Sequence, residues 1–316
     1  MKNKKLALIA FGGNALLRAG QIGTIEEQKA NVYETCENLL DLIKSDYNIV
    51  IAHGNGPQVG NILLQVNAGK KLYNIPEMPL DICGAYSQGF IGYLIEQQFK
   101  NVLAKNGFDK NIITIVSQVL VDEKDKAFQN PTKPIGPYYS EEEMKILKSK
   151  NPNDNFAKDP KGKGWRKVVA SPKPIDINNK EIVEALARQG NIVISVGGGG
   201  IPIILTKNKN LQGVEAVIDK DLASSMLAVY INADEFYILT DVPKVCLNFN
   251  SPDEKSLDTI TVNEAKQYLE QAQFTEGSMA PKIRAAINFI ENGGKTCIIT
   301  EASQLNNPLA GTRIVR

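Results

Sequence analysis

The run IVISVGGGGIP, from Ile192 to Pro202, decides the fold: an apolar stretch that suits a buried strand ends in four consecutive glycines. The same arrangement occurs twice earlier, in ALIAFGGNA from Ala7 to Ala15 and in IVIAHGNGPQ from Ile49 to Gln58. Glycine lacks a side chain and tolerates positive φ, so several backbone N–H groups can turn toward one anion, often beside a helix N-terminus. Three such turns at the ends of predicted buried strands point to a crevice along one edge of a parallel sheet, where α/β proteins bind ligands.

Working outward, strand-like runs near Leu6–Phe11, Asn48–His53, Ile112–Val121, Ile192–Val196, Glu235–Thr240 and Lys295–Thr300 alternate with amphipathic helical patterns. This alternation predicts a doubly wound α/β fold with a mainly parallel sheet. Thr24 with Glu27, Ser140 with Glu143 and Thr261 with Glu264 each fit a capping box and mark helix starts. Residues Asp122 to about Asp176 break the alternation. They are rich in Lys, Pro, Asn and Glu, and read as an inserted subdomain with Trp165, the only tryptophan, as its small core.

The chain has 316 residues, 43% of them hydrophobic and 22% charged, enough to bury a full core. Lys plus Arg is 36 against 35 for Asp plus Glu, a net +1 that offers no bulk attraction to nucleic acid or an anionic membrane. No apolar stretch is long enough to span a bilayer, and the basic start runs into a glycine turn, so a cytoplasmic protein is expected. Cys36, Cys83, Cys246 and Cys297 are widely spaced, with a single histidine, His53, to share a metal, so buried free thiols are expected.

The common phosphate-loop signatures are absent. No G-x-x-x-x-G-K-[ST] occurs, and Gly54, Gly56 and Gly60 are spaced one residue too far apart for the dinucleotide fingerprint. Three lysines add a second signal. Lys282 falls in the first turns of a helix that starts near Pro281 and ends at Gly293, where a cation is mildly unfavourable unless an anion faces it, and a solvated lysine is the competing reading. Lys220 follows Asp219, a predicted N-cap, at another helix start; Asp219 and Asp221 flanking it can equally form a plain charge cluster. Lys133 is held between Pro131, Pro134 and Pro137, and a Pro-rich surface turn is the competing reading there.

The segments GGNAL, HGNGPQVG, MPLDICGAYSQGFIGY, NPTKPIGP, GWRKVVASPKPIDI, SVGGGGIP, GVEAVIDKD and GSMAPKI, in this order, resemble the carbamate kinases, a branch of the amino acid kinase family. The glycine turns suggest the wider family, and the NPTKPIGP and GWRKVV segments its carbamate kinase branch. The resemblance implies a three-layer αβα sandwich in two lobes with a small protruding insertion. Residues 1–121 with 177–205 would bind carbamate, 122–176 would form a lid-like subdomain, and 206–316 would bind the nucleotide. It further implies reversible phosphoryl transfer from ATP to carbamate, giving ADP and carbamoyl phosphate, with Mg²⁺ held mainly by nucleotide phosphates and water, in a homodimer.

Carried over position by position, the resemblance puts Gly12, Gly13, Asn14, Gly54 and Asn55 around carbamate and the transferred phosphoryl group. It puts Lys133, Lys220 and Lys282 around that group, with Asp219 organising the latter two. Gly198, Gly199, Thr240, Asp241, Val242, Val245, Met279 and Pro281 would lie along the nucleotide; Pro243 stands where similar sequences often have an acidic residue. Carbamate is already an anion, so no general base is required and positioning with charge stabilisation suffices. The alternatives are another amino acid kinase acting on a carboxylate or a nucleoside monophosphate, and a non-catalytic sensor of ATP or carbamoyl phosphate.

Overall fold

Alternation along the first strand sets the layers. Leu6, Leu8 and Ala10 join one apolar cluster while Ala7, Ile9 and Phe11 join the other, and all six are fully buried. A strand buried on both faces needs helices on both sides, because successive side chains point to opposite faces. The computed structural model describes residues 4–18, 20–159, 162–305, 307 and 309–316, with Asn14 described in its backbone only.

Eight strands form the central sheet in the order Thr259–Thr261, Thr312–Val315, Thr296–Glu301, Glu235–Thr240, Leu6–Phe11, Asn48–His53, Ile192–Ile194 and Ile112–Thr114. Neighbours run parallel except Thr296–Glu301 against Thr312–Val315. Helices Lys220–Tyr230 and Met279–Glu291 bury Leu227, Ala228, Ile283 and Ile287 against one face. Helices Ile25–Glu37 and Leu80–Lys105 bury Val32, Cys36, Ile91, Ile95 and Phe99 against the other. The α/β sandwich with a mainly parallel sheet is therefore as the sequence predicts, and all three capping boxes form.

Two expectations are corrected. The run Ile112–Val121 is two strands: Ile112–Thr114 closes the edge of the large sheet, whereas Gln118–Val121 leaves it to pair with Ile201–Leu205 and Pro174–Ile177 in a four-stranded sheet. Ser117 makes the break, its hydroxyl meeting Ser195 and taking the Val196 N–H. The insertion contains its own three-stranded sheet, with Lys133–Tyr139 and Asn155–Lys158 on either side of Trp165–Val169. Trp165 is only half-buried, and no residue of the helix Glu141–Lys150 is buried. The insertion instead buries Ile135 and Val169 against Val59, Leu80 and Cys83 of the main body.

Because the central strands share direction and register, Phe11 opposite His53 and Ile51 opposite Ile194, their C-terminal ends open at one edge. His53 closes that edge from within. Its ring is 1% exposed, Nδ1–H donates to the Gly54 carbonyl at 2.9 Å, and Nε2 lies against Gly197, with no hydrogen-bond partner among the described residues. A carbonyl can only accept, so Nδ1 carries the proton. Burial pushes the imidazole down to about 4; the Gly54 bond opposes this and the Lys220 charge adds to it.

An unfolded histidine titrates near 6.5, so between about 6.5 and 4 the unfolded chain takes a proton that the folded chain refuses. The stability present above that window falls as pH drops through it, by about 3 kcal/mol in all. We predict that the urea midpoint falls more steeply between pH 6.5 and 4 for the wild type than for His53→Gln. Equal slopes would show that the ring is not held neutral.

Candidate active site

The crevice is organised by Asp221, whose side chain is 4% exposed. Lys220 Nζ and Lys282 Nζ both donate to it, the latter at 3.0 Å. Lys220 opens the helix Lys220–Tyr230 and Lys282 lies in the first turns of Met279–Glu291, so two helix N-termini meet at one carboxylate. Burial by itself raises the Asp221 carboxyl, but the two ammonium groups outweigh it and hold the group well below the usual carboxylate range. Burial pulls both lysines down. Lys282 ends above its ordinary value because Asp221, Asp219 and Asp241 favour its charge, whereas desolvation prevails at Lys220.

Asp219 makes a different set of contacts from the one expected. One oxygen caps its helix, accepting the N–H groups of Asp221 (2.9 Å) and Leu222, and the other accepts Lys133 Nζ at 2.7 Å. Asp219 is thus a charge neighbour of Lys220 and Lys282, but it bonds Lys133 in their place. The carboxylate shared by the other two lysines is Asp221. Three lysines from distant segments thus face Asp219 and Asp221, with Asp241 near enough to favour the Lys282 charge.

The glycine turns close around this cluster. The Lys220 stem lies over Gly54, 3.4 Å from where a Cβ would sit. Gly12 presses on the Leu239 carbonyl, where a Cβ would come within 2.4 Å, so a side chain there would drive the first strand from its neighbour. Gly13 is exposed with open space around it, and the Asn14 side chain lies outside the described residues. Asn55 is the N-cap of Gly56–Tyr73, yet its side chain does not cap that helix. It donates to Ser87 Oγ at 2.9 Å and packs against Gly198, whose φ of +64° and missing Cβ permit the contact. Among the described residues no side chain caps the first turn of the Gly56 helix, the arrangement that suits an anion. Val196, a β-branched residue at φ +48°, carries strain at the entry to the third turn, held by its N–H bond to Ser117.

A cavity next to this cluster is walled by Thr240, Asp241, Val242, Phe249, Phe274 and Met279. Thr240 and Asp241 also border the cleft that contains Gly12. Four of the eight positions assigned to the nucleotide thus come together. Val245 is not among them: it is fully buried, its N–H bonded to Thr312 Oγ1, and it belongs to the core. Gly198 and Gly199 are buried against Asn55 and Ile218, on the lysine side of the crevice, and Pro281 shapes the turn before Lys282 without lining the cavity.

The sequence reading missed Asp221 as the central carboxylate, and the apolar walls Phe249 and Phe274. A signal for Asp221 was present: Asp221, Ser224, Ser225 and Ala228 form one buried stripe at helical spacing, so the acid faces inward. Phe249 and Phe274 stand in irregular segments far apart in sequence, and only folding shows that they share a cavity.

Residues 5–301 match the model of the Amino acid kinase family. A carbamate kinase of Thermococcus kodakarensis is 48% identical over 316 residues, covering 99% of each chain. A solved carbamate kinase from Giardia lamblia bound to citric acid superposes with a TM-score of 0.92 at 44% identity, covering 100% of this chain and 99% of that one. The Giardia lamblia enzyme bound to AMP-PNP gives 0.90 at 45% identity, with the same coverage. The chain belongs to the amino acid kinase family and, within it, to the carbamate kinases.

Proposed function

We propose that this site transfers a phosphoryl group reversibly between ATP and carbamate, forming ADP and carbamoyl phosphate. The observation that carries the reading is the convergence of Lys133, Lys220 and Lys282 on Asp219 and Asp221, at the glycine-lined edge of the sheet. A transferring phosphoryl group spreads charge over its equatorial oxygens, and preorganised cations and N–H donors stabilise that charge. Lys220 and Lys282 reach it from one side and Lys133 from the insertion, while the turns at Gly12, Gly13, Asn14, Gly54 and Asn55 seat the acceptor. The cavity of Thr240, Asp241, Val242 and Met279 holds the nucleotide, with Gly198 and Gly199 near its phosphate end; complexation of the Giardia relative with AMP-PNP supports a nucleotide here.

Mg²⁺ would accompany the nucleotide and supply further positive charge beside its phosphates. The ion would be held mainly by nucleotide phosphates and water. No carboxylate needs to act as a base, because carbamate attacks as an anion. Residues 122–176 serve as the cover, excluding water that would hydrolyse the mixed anhydride, and Lys133 already reaches Asp219 from that side. A cytoplasmic setting suits the four free thiols, three of them buried; no helix among the described residues is long and apolar enough to cross a membrane.

We further assign a homodimer to the exposed face of Leu80–Lys105, where Ile82, Tyr86, Gly89 and Tyr93 form one stripe. Exposed Val116 and the sheet's edge strand Ile112–Thr114 continue that surface, and a second copy would cover both.

Two measurements test these assignments. ATP formation from ADP and carbamoyl phosphate is expected in the wild type, falling on the order of 100-fold or more in Lys133→Ala, Lys220→Ala and Lys282→Ala. Full rates in all three would overturn the mechanism, and binding without turnover in the wild type would favour a sensor. The doubly substituted Tyr86→Lys, Tyr93→Lys chain is expected to sediment at half the wild-type mass, and an unchanged mass would reject this face.

A further inference from the structure

The segment GWRKVV supplies Val169, the ladder partner of Lys133, and its arginine is placed against the same strand that carries Lys133. Arg166 donates from both Nε and Nη2 to one acceptor, the Gly136 carbonyl, at 3.0 and 2.7 Å. Its guanidinium also lies 5.3 Å from the centre of the Tyr138 ring. The ladder between Lys133–Tyr139 and Trp165–Val169 pairs Lys133, Pro134 and Ile135 regularly, then slips before Tyr139. In that slip Pro137 has no N–H to donate and the Gly136 carbonyl has no strand partner in the ladder, so the arginine fork supplies what the backbone cannot.

Gly136 is also where the insertion rests on the main body. Its φ is +69°, and a Cβ on Gly60 of the helix Gly56–Tyr73 would come within 2.1 Å of the Gly136 Cα. Two backbones therefore touch at a point three residues from Lys133 and within two turns of Asn55. Arg166 holds the shape of the turn at that contact.

We propose that Arg166 is a positioning residue for Lys133: by fixing the Gly136 turn on Gly60 it sets the reach of the Lys133 ammonium to Asp219 and the phosphoryl site. The proposal deepens the phosphoryl-transfer reading and rests on it. Arg166 acts through Lys133, so its loss should matter only while Lys133 is present.

A double-mutant cycle for ATP formation from ADP and carbamoyl phosphate tests this, using the wild type, Arg166→Gln, Lys133→Ala and the double variant. Arg166→Gln is expected to lower kcat by on the order of 10- to 100-fold with little change in the KM for ADP. In the Lys133→Ala background the same substitution should add less than about threefold. Amide exchange at residues 133–139 should quicken in unliganded Arg166→Gln, at unchanged protection of the strand Leu6–Phe11. Losses that multiply would mean that Arg166 acts on the substrate directly, and would overturn the proposal, as would unchanged exchange at 133–139. Arg166→Lys, which keeps a cation but not the fork, gives the same comparison if Arg166→Gln does not fold. If the wild type forms no ATP, the assignment of the reaction fails, and the exchange comparison still decides whether Arg166 holds the turn.

Discussion

A carboxylate buried to 4% exposure between two ammonium groups is the constraint on which the rest of this site depends. A lone buried charge costs several kcal/mol, so Asp221, Lys220 and Lys282 are tolerable only together, and removing one partner leaves the others uncompensated. The fold meets that condition by bringing the N-termini of two helices to the same point. Each helix is anchored by its own apolar face, Leu227 and Ala228 on one and Ile283, Ala286 and Ile290 on the other, so the ammonium groups are fixed by packing some distance from the chemistry.

The second carboxylate plays a complementary part. Asp219 uses one oxygen to cap a helix and the other to receive Lys133 from the insertion, which couples the position of an inserted subdomain to the central sheet. The glycine turns make room for this assembly. Gly54 lets the Lys220 stem pass and Gly12 lets the first strand approach its neighbour, while Gly198 gives Asn55 a place away from its own helix end. The same N-terminus is then left with donors for an anion.

Much of this was legible in the chain. Strands at Leu6–Phe11, Asn48–His53 and Glu235–Thr240 were readable because long apolar runs bounded by turns have few alternative interpretations, and capping boxes signal helix starts through local chemistry. Ile112–Val121 misled because its apolar character continues through a change of sheet at Ser117, whose hydroxyl bonds Ser195 and the Val196 N–H. Trp165 misled because the insertion buries Ile135 and Val169 against the main body and builds little core of its own. Asp219 and Asp221 flank the same lysine, and sequence spacing alone did not distinguish the acid that caps from the acid that turns inward. The walls Phe249 and Phe274 carry no periodic pattern, so their approach is a property of the tertiary fold alone.

The most direct test of the central claim is the rate of ATP formation from ADP and carbamoyl phosphate in Asp221→Asn, an isosteric change that removes the shared charge. The account predicts a fall in kcat on the order of 100-fold or more, with ADP affinity by calorimetry nearly unchanged. A folded Asp221→Asn enzyme with wild-type turnover would contradict it.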